Sequence, residues 1–249
     1  MKSILPLAVC LFATTVTSAT HIPSPQTDDQ YPFRVEFDDG TPLCNVDMRT
    51  AHRCDKGAEK AYACMLDTND QPELCDHIVD LQLLVRALGK NGFCQTMTKI
   101  RAEAKSNQLP TDEEYLKHIK TCANEASSVR YLDKEAHKKK SRIVDQTVNG
   151  GTSAIKSPGR SREMLLDMYL KDVFLPKGAV IAAAVDRLAG EALQKMVDDI
   201  HDNDEREAAQ TVLDNKGWAT KTSVTDMHAK ASQKFKEQIT KWGNRKLGL

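Results

Sequence analysis

Residues 74–92, LCDHIVDLQLLVRALGKNG, decide the fold class. Leu74, Ile78, Leu81, Val85 and Leu88 recur at four- and three-residue steps, the spacing that lines up apolar side chains on one face of an α-helix. Gly89 and the pair Asn91-Gly92 supply the stop, since glycine takes the left-handed conformation that closes a helix. The spacing predicts a helix from Leu74 to Leu88.

The same period continues toward the C-terminus. Phe93, Met97, Ile100 and Ala104 repeat it as far as Pro110. Thr111-Asp112-Glu113-Glu114 then reads as a capping box, in which the Thr111 hydroxyl accepts an early helix N–H and Glu114 reaches back to the Thr111 N–H. The helix it starts has the stripe Tyr115, Ile119, Cys122, Ala126 and Val129. It is expected to run on into residues 134–142, KEAHKKKSR, whose small apolar content predicts a protrusion into solvent.

Asn149-Gly150-Gly151 and Ser157-Pro158-Gly159 mark residues 146–160 as a flexible linker. Beyond it a short helix over residues 162–174 is expected to stop before Pro176. A longer one carries Ile181, Val185, Leu188, Ala192, Met196 and Ile200 on one face, breaks near residues 201–203 and resumes from an Asp204 cap with Glu207 to Leu213. Ser223 with Asp226 caps a final helix bearing Val224, Met227, Ala231, Phe235, Ile239 and Trp242.

Toward the N-terminus, Met1-Lys2 followed by an apolar run and Thr17-Ser18-Ala19 has the layout of a cleavable signal peptide, residues 1–19. The apolar run is too short to span a bilayer, and no later segment reaches the ~20 apolar residues of a membrane helix. Residues 20–43, with Pro23, Pro25 and Pro32, read as an extended arm, and Phe33, Val35 and Phe37 alternate as one short edge strand would. Without Cys10 of the leader, Cys44, Cys54, Cys64, Cys75, Cys94 and Cys122 remain, an even set that fits three disulfides in an exported chain. The spacing does not choose among pairings. Zinc is disfavoured because its ligands come in tight pairs and the shortest gap here is nine residues.

The fold class is thus mainly α. A disulfide-stapled helical domain with a basic helix end occupies residues 44–145, and a cysteine-free helical region with acidic and basic amphipathic helices occupies residues 161–249. Aromatic residues make up only 5% of the chain, so the core is aliphatic.

A net charge of zero excludes a wholly basic, nucleic-acid-coating protein and hides opposed segments. Residues 178–215 hold nine acids against three bases, and residues 216–249 hold eight bases against two acids. The acidic and final basic helices are expected to pack antiparallel through their apolar stripes. The alternative is a basic amphipathic helix, with Lys230, Lys234, Lys241, Phe235 and Trp242, settling on an anionic membrane or a partner. Lys138, Lys139, Lys140 and Arg142 are the candidate interaction residues, suited to a polyanion contact, a nuclear address or a processing site as well as to a solvated helix end.

No phosphate loop, H-E-x-x-H or G-x-S-x-G frame occurs, and residues 67–78 depart from a calcium loop at Pro72 and Ile78. Glu114 with His118, and Asp198 with His201 and Glu205, have metal-ligand spacing but also fit the polar sides of amphipathic helices. No catalytic, cofactor-binding or metal-binding residue is assigned, and no cofactor is expected. Activity from dispersed residues stays open. The expectation is a secreted, non-enzymatic interaction protein with a protein partner, in the manner of a virulence effector of a eukaryotic pathogen that acts on host proteins, with entry into a host cell. The alternatives are an extracellular carrier of a lipid or other apolar ligand, and a secreted toxin or hydrolase with a dispersed site.

Overall fold

The first helix starts where Asp80 can cap it, seven residues later than the apolar spacing suggests. The structure is a computed structural model that describes residues 42–49, 73–105, 108–215 and 223–244. All of these belong to the compact unit Gly40–Leu249. The leader, the arm before residue 42, and Cys54 and Cys64 lie outside the described residues. Helix α1 is Leu81–Asn91; the Asp80 carboxylate accepts the Gln82 N–H at 3.0 Å, and Gly92 closes it at φ 88°. Glu73–His77 is instead a strand, β1, paired antiparallel with β2 (Val129–Asp133) so that Leu74 faces Leu132 and His77 faces Val129. A step of four residues returns to the same face in a strand as in a helix, so Leu74 and Ile78 could not distinguish the two.

Helix α2 is Phe93–Glu103 and α3 is Asp112–Asn124. Thr111 and Glu114 form the expected capping box, with the Glu114 N–H donating to Thr111 Oγ1 and the Thr111 N–H to Glu114 Oε2. The helix predicted to continue into residues 134–142 is in fact broken. Glu125 turns extended at ψ 154°, the 3-10 turn Ala126–Ser128 follows, and β2 intervenes before helix α4 (Lys134–Asn149). Two causes are local: Val129 and Tyr131 favour strand, and Asp133 restarts a helix by accepting the Glu135 and Ala136 N–H groups.

Pro176 does not stop a helix. Helix α5 (Arg160–Tyr169) passes through a widened π-helical turn (Leu170–Phe174) into α6 (Leu175–Asp198), with Pro176 in the first turn of α6. The Leu175 N–H reaches back to the Leu170 carbonyl, and the wider turn relieves the clash a proline ring makes with the turn before it. Helix α7 (Asn203–Asp214) is capped by Asp202 rather than Asp204. The expected break at residues 201–203 is present. Helix α8 (Val224–Asn244) starts with reciprocal bonds between Ser223 and Asp226.

Helix α6 is the hub: α2, α3, α7 and α8 all pack on it, and α8 also meets α1 and α4. Its buried residues Ile181, Val185, Ala189, Leu193 and Met196 form the aliphatic centre. Helices before and after residues 146–160 therefore share one core. Within that stretch Ile155 is buried, and its carbonyl accepts bonds from Gln238 and from the Trp242 indole N–H, while the Gly151 carbonyl accepts one from Lys234.

The disulfide Cys44–Cys94 ties residues 42–49 to the first turn of α2, and Asn124 of α3 donates to the Met48 carbonyl at 2.9 Å. Leu43 and Met48 of that segment are buried. Cys122 is buried on the inward face of α3, and Cys75 lies in β1.

Candidate functional site

Helix α4 turns the basic run in two directions. Ala136, Lys140, Ile143, Val144 and Val148 are buried, at steps of four, three, one and four residues. Lys140 therefore occupies the inward stripe, and its side chain is 0% exposed. This corrects the expected solvent protrusion: the helix is half embedded, and one of its four candidate cations is core.

Lys140 has a complete set of partners there. Its ammonium donates to Asp76 Oδ1 at 2.8 Å and Oδ2 at 2.6 Å, and to the His77 carbonyl. All three N–H bonds of the ammonium are thus used. Asp76, 1% exposed on β1, also accepts the Tyr169 hydroxyl at 2.7 Å and faces His137 Nε2 at 3.3 Å. Burial, and then the Asp76 charge, push the Tyr169 hydroxyl well above its ordinary pKa, so it stays a donor. The ammonium also lies 5.6 Å from the Phe174 ring centre and 5.8 Å from that of Tyr169.

Phe174 also meets His228 of α8, whose ring lies 4.6 Å from the Phe174 ring and is 3% exposed. Neither ring nitrogen has a hydrogen-bond partner among the described residues; the Phe174 backbone acts on the ring from outside bonding geometry. Gly178 of α6 makes room: a Cβ there would lie 2.3 Å from His228 Cε1. Desolvation, with a smaller contribution from Lys140, lowers the imidazole pKa to about 4.

Outward, α4 presents Lys138, Lys139 and Arg142. Lys138 is paired with Glu135 at 2.6 Å. Lys139 and Arg142 are three residues apart on adjoining turns. The segment after α4 doubles back along it: Gln146 donates to the Ser153 carbonyl at 2.5 Å, and Gly151 lies against Gln146. That course brings exposed Lys156 beside Lys139. Burial and then the Arg142 cation lower the Lys139 pKa, with Lys138 and Lys156 adding to the effect and Glu135 opposing it. Arg142 and Lys156, from two separate segments, thus both act on Lys139.

Lys156 was missed by sequence reasoning because a single lysine in a linker carries no pattern. The inward turn of Lys140 did have a signal, since residue 140 falls on the helical step between Ala136 and Ile143. Asp76 and His228 had none.

The other candidate groups are spread out. Glu114 is engaged with Thr111 and His118 is exposed. His201 is exposed in the break between α6 and α7, which separates Asp198 from Glu205. Among the described residues no group of three or more His, Cys, Asp or Glu could hold a metal ion, and no helix is long and apolar enough to cross a membrane.

The fold and site define a mainly helical, disulfide-linked protein with a basic surface on an amphipathic helix. No family model, curated protein or solved structure matches the chain.

Proposed function

We propose that this is a secreted, non-enzymatic interaction protein that engages an acidic protein surface through Lys139, Arg142 and Lys156. One observation carries the proposal: the cations Arg142 and Lys156, from two segments, both act on Lys139, and Glu135, already paired with Lys138, is the one carboxylate among the described residues that opposes them there. Like charges held together raise the free energy of the isolated protein and favour an anionic partner that relieves the repulsion.

A membrane surface fits less well. Lipid-surface helices insert an apolar face, and the apolar faces of both basic helices are occupied: Ile143, Val144 and Val148 of α4, and Phe235 and Trp242 of α8, are buried inside the bundle. The disulfide suits an oxidising compartment, which supports export. Acting outside the producing cell, such a protein would bind proteins of its surroundings, as an effector binds those of a host.

The test is capture from extract with the native protein beside a variant carrying Lys139→Gln, Arg142→Gln and Lys156→Gln. Lys140 is left intact, because its loss would disturb the core. A partner held by the native form, weakened by salt and lost by the variant is the expected result. Equal capture by both forms, or capture only of lipid or nucleic acid, would overturn the proposal.

A further inference from the structure

We propose that α8 is an acid-released latch: protonation of His228 lifts α8 from its seat on Gly178 and Phe174, and so breaks up the basic face that α8 helps to hold.

The seat favours a neutral ring, because burial outweighs the support the Phe174 backbone gives the protonated form. His228 is 3% exposed, packed on Phe174 at 4.6 Å and against a glycine that leaves no space for a Cβ. Ser232, one turn further along α8, is also buried with its hydroxyl unpartnered. An imidazolium needs an anion or water, because a buried charge without a counter-charge is costly.

Among the described residues no surrounding element supplies that anion. From α4 comes Lys140, a cation. The Asp76 carboxylate on β1 is already taken by Lys140, Tyr169 and His137. On α5 the Tyr169 hydroxyl is given to Asp76, Glu163 accepts from Ser157 and Asp167 accepts from Lys171. The π-helical turn carries the exposed Asp172 and the Phe174 ring and backbone, the last favouring the protonated ring less than burial disfavours it. Helix α6 offers Gly178 at this level, and its Asp186 is committed to the start of α8, accepting the Val224 and Thr225 N–H groups at 2.8 and 2.9 Å. On α1, Arg86 and Lys90 are exposed, and Lys90 donates to the Val148 carbonyl. Within α8, Asp226 is bonded to Ser223 and Lys230 is exposed. A protonated ring, without a counter-charge there, is therefore stabilised chiefly by reaching water, which requires α8 to separate from α6 and the π-helical turn.

Separation has a consequence across the molecule. Lys234, Gln238 and Trp242 of α8 hold residues 151–155 through the Gly151 and Ile155 carbonyls. Those residues position Lys156 beside Lys139 and Arg142. Release of α8 frees them, and the three cations disperse. This consequence rests on the binding proposed above, whereas the opening itself does not.

Trp242 reports the opening, since it is 1% exposed and its indole N–H is bonded to Ile155. The full chain carrying Trp218→Phe is titrated from about pH 7 to about pH 4 while Trp242 emission is followed. The expected result is a cooperative red shift below the ordinary imidazole range, moved about one pH unit or more lower by His228→Leu. In parallel, the His228 Cε1–H resonance of the unaltered protein is followed, which keeps the test decisive should His228→Leu fail to fold. A histidine that stays neutral until Trp242 emerges supports the latch. One that titrates near pH 6.5 with Trp242 still buried overturns it, as does a leucine variant that opens at the same pH. Loss of a captured partner over the same pH range supports the consequence for the basic face. Opening without any partner bound at pH 7 leaves the latch standing and overturns the binding proposal alone.

Discussion

Lys139 and Lys140 are neighbours in sequence and occupy opposite environments. Lys140 is sealed in the bundle with every ammonium proton bonded, and Lys139 sits at the surface among Lys138, Arg142 and Lys156. One residue advances an α-helix by about 100°, enough to carry a side chain from one solvent to another. A run of like charges is thus not a unit of function. The inward member serves the fold and the outward members are available to a partner.

The largest test of that division is Lys140→Met. It leaves Asp76 buried without its cation, and denaturant unfolding should show a loss of about 3–5 kcal/mol. Adding Asp76→Leu should recover most of the loss, because the charge left behind is then removed as well. A Lys140 variant as stable as the native protein would erase the distinction between the two lysines.

The next effect comes from acidity. The His228 pKa is lowered in the fold to about 4 against an ordinary 6.5. Above the ordinary value neither folded nor unfolded chain binds this proton. As the pH falls below it, the unfolded chain takes up the proton and the fold does not, so stability is lost progressively until the folded value is reached. The loss amounts to about 3 kcal/mol over that window. Chemical denaturation at several pH values should show this slope in the native protein and a flatter one in His228→Leu.

Gly178→Ala should cost about 1–3 kcal/mol, since the new methyl collides with the His228 ring. The cost should shrink in a His228→Ala background, where the space is returned; thermal melts of the single and double variants check this. Smallest of all, the change of Lys139, Arg142 and Lys156 to Gln should move stability by no more than about 0.5 kcal/mol while abolishing partner capture. A large stability change there would mean that the outward cations also serve the fold.

Helices were legible wherever local chemistry acts within one turn. The Thr111–Glu114 box, the Gly92 stop, the Ser223–Asp226 cap and the break after α6 all depend on groups at most a few residues apart. The antiparallel contact of α6, which opens the acid-rich segment 178–215, with the basic α8 was also anticipated, with Val224 near Asp186 and His228 against Gly178. Its electrostatics differ from the expected flanking pairs: Asp186 binds the N–H groups at the positive end of α8, and Lys234 turns to a backbone carbonyl of the connection after α4.

By itself the sequence determined a mainly helical chain, most of the caps that begin and end its helices, and the apolar stripes that had to be covered. Tertiary structure alone decided that Glu73–His77 pairs as a strand with Val129–Asp133, because two five-residue segments so far apart gain their hydrogen bonds only from each other. It also decided that Lys140 meets Asp76, that Lys156 joins Lys139 and Arg142, and that His228 lies against a glycine. The reason is common to all four. Periodicity and capping are set by neighbours along the chain, whereas a buried charge, a cluster of cations or a desolvated ring is defined by what residues remote in sequence place beside it.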